Sequence, residues 1–303
     1  MGHLYQTLRE KVPDACYVQG KRVTDVRSRS GGAELEIDGR DAESFDVVVF
    51  ADGHHSVGRD IVSPGSNPVY QGYFLWRGVL PERMVDAAVF HETLQRVGYP
   101  GGHFFAYLLP NANGSMAVGD RELNWGMFLP KTEDELQNLL MDRYGDRHAL
   151  SLPPGSMRDD VEQALKAHAV QLLPAPLDAV VRESANTFGQ AIVAASPRCY
   201  HKGRLCLVGD AGAVVPPFTT SGVLKGMNNA LSLIEAIGSG QSIDQALVTL
   251  DERQQAHAAG LSRLSELMAQ KLITAVPDFS TLDQDGLDRW WKDVQDLLQE
   301  VMA

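Results

Sequence analysis

Two short runs of consecutive apolar residues constrain this fold more than any other feature. They are Val47 to Phe50 in "SFDVVVFADG" and Leu205 to Val208 in "RLCLVGDAG". A strand with one face to a core alternates apolar and polar residues, whereas an unbroken run fits a strand covered on both faces, as in a parallel sheet beneath helices. The first run is followed by Asp52-Gly53 and the second by Gly209-Asp210. Ligands of open α/β sheets bind beyond the carboxyl ends of the strands. The two runs are therefore expected to be neighbouring strands of one layered domain, with both acidic pairs at its ligand-binding edge.

Between them the pattern changes. "YQGYFLWRGVL", "HFFAYLLP" and "SMAVGDRELNWGMFLP" are aromatic-rich strand candidates separated by Gly, Pro and Asn turns, which predicts an antiparallel sheet over residues 68–130. Ahead of the first run, Leu4 to Val12 reads as a helix, and "YVQGKRVTDVRSRS" and "AELEIDG" read as strands joined at Gly31-Gly32. "TEDELQNLLMDRYG" predicts a helix capped by Thr132 with Glu135 three residues on, and "RDDVEQALKAHAVQLLP" a second one ended by Pro174. A helix follows Gly222 and runs to Gly238, and further helices are expected over 241–271 and 281–302. The last would carry Trp291, Val294, Leu297, Leu298 and Val301 on one face.

The chain has 303 residues, a net charge of -12, and three cysteines without zinc-type spacing. The acidic balance argues against a nucleic-acid partner. No apolar run reaches the roughly 18 residues of a membrane span, and the mixed, charged opening residues do not read as a signal peptide. A cytoplasmic protein with reduced thiols is the expectation.

The chemistry concentrates in two stretches. In "FADGHHSVGRD", Asp52 offers a carboxylate to hydroxyl groups and Arg59 a fork for a carboxylate or phosphate. The competing reading is a surface turn with an Asx-type bond. In "GDAGAVVPPFTTSG", Asp210 suits ribose or ribityl hydroxyls, Pro216-Pro217 stiffens the loop, and Gly222 lets the backbone approach a flat ligand at a helix start. Here the competing reading is a plain Gly/Pro connector. His54 and His55 are adjacent on an extended segment and should point opposite ways, so no metal site is expected.

Together, "ADGHHSVGR" and "GDAGAVVPPFTTSG" resemble the DG and GD motifs of the single-component FAD-dependent aromatic hydroxylases, which share the p-hydroxybenzoate hydroxylase fold. "YQGYFLWRGVLPE", "GGHFFAYLLP" and "LNWGMF" resemble the 2,6-dihydroxypyridine hydroxylase branch. The resemblance runs from Leu4 to about residue 265. It implies a partial FAD-binding domain over 1–67 and 185–265, an antiparallel substrate-binding domain over 68–184, and C-terminal helices over 266–303. The fold class is thus α/β (α+β). By position, Asp52, Gly53, Arg59, Gly209, Asp210, Pro217, Gly222 and Val223 would hold FAD, with NAD(P)H as reductant. Tyr73, Trp76, Arg77 and Gln190 lie on strands that roof the family's substrate pocket, and His103 is the candidate for deprotonating a phenolic substrate. The implied reaction is hydroxylation of a small planar aromatic by O2 through a flavin hydroperoxide.

The family opens with a strand, G-x-G-x-x-G and a helix, and nothing in this sequence matches it. Phe50 stands where the family usually has Gly, Ala213 where it often has His, and Asn229 where it usually has Asp. The layered domain is therefore expected without its first βαβ unit, which would bare the edge of the strand at Asp46 to Phe50. The chain would be a fragment, one half of a split enzyme, or a shortened relative. A homodimer or a companion chain bearing the missing unit would cover the edge. The rival reading is a flavin-free ligand-binding or accessory protein on the same scaffold.

Overall fold

The computed structural model describes every residue except 1, 39–41, 87–89, 91–93, 220, 278–280 and 303; for 2, 3, 294, 295 and 297–302 it describes the backbone alone. Two compact units result, Met1–Pro68 with Ala195–Val214 and Ser221–Ala259, and Val69–Ala194 with Val215–Thr220 and Gly260–Ala303. Among the described residues no helix is long and apolar enough to cross a membrane.

The first unit opens with helix α1 (Gly2–Arg9), which ends sooner than its periodicity predicts. An antiparallel sheet follows, in the order β1 (Val23–Arg29), β2 (Gly32–Ile37) and β3 (Glu43–Phe45). Gly31 makes the tight turn between β1 and β2 with φ of 78°, a conformation that glycine adopts at no steric cost. Next come β4 (Val48–Phe50) and the short helix α2 (Val57–Val62).

The second unit is built on a six-stranded antiparallel sheet. Its strands are β5 (Val69–Pro81), β6 (Gln95–Tyr99), β7 (Gly102–Leu109), β8 (Glu122–Pro130), β9 (Ser151–Leu152) and β10 (Phe188–Ala194), in the order β6-β7-β8-β5-β10-β9. Helix α3 (Glu133–Leu139) starts with the expected capping box of Thr132 and Glu135. Helices α4 (Asp159–Leu172) and α5 (Leu177–Glu183) precede β10. Strand β6 and helix α5 were not legible in the sequence.

Back in the first unit, β11 (His201–Lys202) and β12 (Leu205–Leu207) complete a second sheet in the order β11-β12-β4. Strands β12 and β4 are parallel, with Leu205 opposite Val48 and Leu207 opposite Phe50, so the two apolar runs are neighbours as their composition predicts. The expectation of cover on both faces holds for β12, which is buried throughout. It fails for β4, the end strand of that sheet, where Val48 and Phe50 are buried and Val49 is exposed. Helices α6 (Gly222–Gly238) and α7 (Ile243–Ala269) follow, and after a short π-helical segment α8 (Gln284–Met302) closes the chain. Trp291 lies on α8, whereas the side chains of Val294, Leu297, Leu298 and Val301 are outside the described residues.

Candidate functional site

In the first unit, Arg59 ties the loops after β4 and β12 together. Its guanidinium is only 2% exposed. Nε donates to the carbonyls of Ala211 (3.0 Å) and Gly212 (3.2 Å), Nη1 to His54 (2.9 Å), and Nη2 to Gly53 (3.4 Å) and Asp210. A buried cation needs such acceptors, and these five carbonyls occupy the fork that the sequence offered to a phosphate. Asp52 is likewise engaged locally. Oδ1 accepts from Ser56 Oγ at 2.6 Å and Oδ2 from the Gly58 N–H at 3.3 Å, while Ser56 caps α2 through the Arg59 N–H. These bonds run to residues 56 and 58 rather than to the N–H two residues on that an Asx-type turn uses, and the aspartate stays exposed.

Phe50, the departure from the family's glycine, has its counterpart in Gly58. A Cβ on Gly58 would lie 2.1 Å from the Phe50 ring, so the ring fills the space above that glycine. His54 and His55 correct a sequence expectation. They sit in a turn rather than an extended segment, and their rings are 4.1 Å apart. Among the described residues no group of three His, Cys, Asp or Glu is placed to hold a metal ion.

Asp210, at the end of β12, is held by a residue that the sequence did not single out. Lys225 is 1% exposed, and its Nζ donates to Asp210 Oδ1 at 2.6 Å and to the Ala213 carbonyl. Burial lowers the Lys225 pKa and the Asp210 carboxylate opposes that shift. The Asp210 side chain is itself 50% exposed, so one carboxylate oxygen is anchored and the group still faces solvent. One turn further along α6, Asn229 accepts from the Gly209 N–H at 2.7 Å and donates to Gln254, a pairing that the family's aspartate could not make from its own atoms. Gly222 and Val223 begin α6, and a Cβ on Gly222 would meet nothing within 4 Å. The fit to a flavin is therefore partial. An anchored carboxylate and an open helix start suit the ribityl and ring half, and no glycine-rich phosphate loop is present for the ADP half.

The second unit contains a cavity of about 470 Å³ on one face of its sheet, lined by Leu75, Arg77, His103, Phe128 and Phe218 among others, with Pro217 at its side. Strand alternation decides which predicted residues can reach it. Tyr73, Leu75 and Arg77 share a face of β5, and Gln190 is paired with Leu75 from β10. Trp76 points to the opposite face and does not line the cavity. It is fully buried, edge-on to Trp125, whose Nε1 donates to Ser184 Oγ at 2.7 Å. Tyr73 packs against Phe128 and Phe218, and burial raises its hydroxyl pKa well above the usual value.

His103 is 2% exposed, 4.6 Å from the Phe128 ring between centroids, and burial lowers its pKa to about 3. Its Nδ1 is 3.1 Å from the Leu272 carbonyl. A carbonyl only accepts, so Nδ1 carries the proton and Nε2 is an acceptor. At neutral pH this histidine is uncharged.

Residues 70–194 match the family model described as FAD binding domain-like, which places the match on the six-stranded sheet unit. The solved 2,6-dihydroxypyridine-3-hydroxylase from Arthrobacter nicotinovorans superimposes with a TM-score of 0.80 at 23% identity, covering 88% of this chain and 67% of that one. The fold is that of the flavin-dependent aromatic hydroxylases. Two curated proteins match in sequence. An "FAD-dependent monooxygenase" of Aspergillus terreus is 27% identical over 248 residues, 78% of this chain and 52% of its own length. The 2,6-dihydroxypyridine 3-monooxygenase of Paenarthrobacter nicotinovorans is 28% identical over 227 residues, 73% of this chain and 56% of its own. The chain thus spans about half the length of the curated relatives it matches.

Proposed function

We propose that this chain is an FAD- and NAD(P)H-dependent aromatic monooxygenase, or the part of one that holds the flavin ring and the substrate. The observation that carries the reading is Asp210, a half-exposed carboxylate at a strand end, anchored by the buried Lys225 beside the open start of α6. Its free oxygen would accept from flavin side-chain hydroxyls. The backbone N–H groups at Gly222 and Val223 would face the ring, whose reduced form carries negative charge that a helix start favours. Gly209 and Pro217 would shape the same loop, and Asp52 and Gly53 would border it. Arg59 would act as a positioning residue, through the loops it binds. Flavin, when bound, supplies the activation of O2 and the transfer of its oxygen.

On the substrate side, Tyr73 and Gln190 share the cavity face, and His103 would accept a hydrogen bond from a ring hydroxyl through Nε2. A group this reluctant to become charged orients a proton better than it removes one. The names of both curated relatives favour this reading over a flavin-free binding protein, whose support is the absent G-x-G-x-x-G. We place the activity in the cytoplasm on the three free thiols, and assign it either a homodimer or a companion segment bearing the phosphate-binding unit. Titration with FAD, followed by flavin fluorescence, tests the proposal. Binding is expected, with an affinity at least about ten-fold weaker in Gly222→Val, whose added side chain meets no protein atom within 4 Å at its Cβ and leaves the melting temperature unchanged. Absence of any flavin binding by the parent chain would give the field to the rival.

A further inference from the structure

The loop that presents Asp210 is gripped from the protein side by buried side chains. Arg59 takes the carbonyls of Asp210, Ala211 and Gly212, and Lys225 takes the Ala213 carbonyl and one Asp210 oxygen. A third grip lies at the loop's entrance. Gly209 holds a φ of 60°, and its N–H donates to Asn229 Oδ1 at 2.7 Å. Glycine populates left- and right-handed backbone almost equally, so the side chain that takes its N–H decides how the loop begins.

An asparagine offers an acceptor at only one end of its amide. One orientation gives Oδ1 to the Gly209 N–H, and the reverse would face that N–H with two more hydrogens. Gln254 removes the choice. It stands on α7, 3% exposed, and its Oε1 accepts from Asn229 Nδ2. Asn229 is 1% exposed, so both amides lie away from solvent and depend on each other for partners. Turning the Asn229 amide over would set donor against donor at Gly209 and acceptor against acceptor at Gln254. An aspartate at position 229 would need no such help, because both ends of a carboxylate accept.

We propose that Gln254 is a positioning residue for the Asp210 loop. It holds the Asn229 amide with its oxygen toward Gly209, and so fixes the backbone from which Asp210 projects. Calling this loop the flavin's rests on the monooxygenase reading; the role of Gln254 in ordering it does not.

The test is amide hydrogen exchange of the full chain, followed by NMR with no flavin added. In the parent, the Gly209 N–H and the Asn229 side-chain amide should both be protected. An Asn229 amide that exchanges like an exposed one would overturn the proposal before any variant is made. Gln254→Met keeps the length of the side chain and removes its strong acceptor. It should speed exchange at Gly209 by about ten-fold or more relative to the Leu207 N–H, which donates to the Tyr200 carbonyl at 2.8 Å. Adding Asn229→Asp to Gln254→Met should return Gly209 to within about three-fold of the parent, because a carboxylate cannot be turned the wrong way. Equal acceleration at Gly209 and Leu207 would overturn the proposal, and so would a double variant without recovery, since lost packing is not restored by a carboxylate at position 229. FAD affinity should follow the same order, about ten-fold weaker in Gln254→Met and recovered in the double variant. An affinity unchanged by a substitution that loosens Gly209 would also overturn it. A parent chain that binds no FAD would sink the monooxygenase reading and leave the exchange result standing.

Discussion

The two units treat their large apolar residues in opposite ways. In the second, Trp76, Trp125 and Phe104 are 0% exposed on one side of the sheet, Trp76 edge-on to Trp125 and Phe104 stacked with it, while Tyr73, Leu75, Phe128 and Phe218 pack with α7 and the π-helical segment on the other. In the first, helix α6 turns Lys225, Asn229, Leu233 and Ala236 inward and presents Leu224, Met227, Leu231, Ile234 and Ile237 outward, between 44% and 66% exposed. An amphipathic helix ordinarily buries its apolar stripe. The second unit is closed on its own terms, whereas the first carries a surface suited to something apolar.

The sharpest way to break the closed unit is Trp125→Ala. The ring fills the space above Gly78, where a Cβ would lie 2.6 Å from it, and its indole N–H answers Ser184. Removing it should cost about 3–5 kcal/mol, since the surrounding sheet cannot collapse into so large a void. Urea unfolding followed by the fluorescence of the three remaining tryptophans, all in that unit, should show the loss. A cost below 1 kcal/mol would mean the sheet is far more plastic than its packing implies.

A smaller loss is expected from Glu82→Gln. Glu82 is 1% exposed and accepts from Arg121 Nε and Nη2 at 2.9 and 2.5 Å and from the Gly119 N–H at 2.9 Å. The hydrogen bonds from Arg121, ahead of burial's opposing effect, lower its pKa in the folded chain. A depressed folded pKa stabilises the protein above the unfolded carboxyl's value, about 4.3, and that contribution is lost as pH falls through the folded value. The variant should be weaker by about 1.5–3 kcal/mol at neutral pH. The gap should narrow as pH falls below about 4. A gap that is constant with pH would place the effect in shape rather than charge.

Sequence legibility divides along the same line. The neighbouring runs at 47–50 and 205–208, the aromatic strands and the capping box at Thr132 are local patterns with one meaning each, and the structure has them. What escaped depends on partners distant in sequence. Lys225 reads as a surface lysine until Asp210 and Ala213 are beside it. Arg59 reads as an anion fork until five carbonyls surround it. Trp76 and Arg77 are adjacent letters and so face opposite ways on β5, but only the packed sheet tells which face holds the cavity. The polar residues at 225 and 229 on an otherwise apolar period were the available sign that α6 is turned around.

The smallest effect on stability, and the one that bears most on the open unit, is expected from charging the α6 stripe. Leu231 and Ile234 are 54% and 66% exposed and three residues apart, hence on one face of the helix. Each such side chain is worth roughly 1.5–3 kcal/mol when buried, so a row of five left in water is a strong drive toward association. The end strand β4 adds exposed Val49 to the same unit. On the homodimer proposed above, copies of the chain should pair through the stripe. Substituting Leu231→Lys together with Ile234→Lys should change the unfolding free energy by no more than about 0.5 kcal/mol per site, because both residues are more than half exposed. Light scattering should nonetheless show the parent chain larger than a monomer and the doubly charged variant reduced to one. A parent chain that is monomeric at every concentration tried would mean the stripe tolerates water on its own, and the contrast between the units would then lie in composition alone.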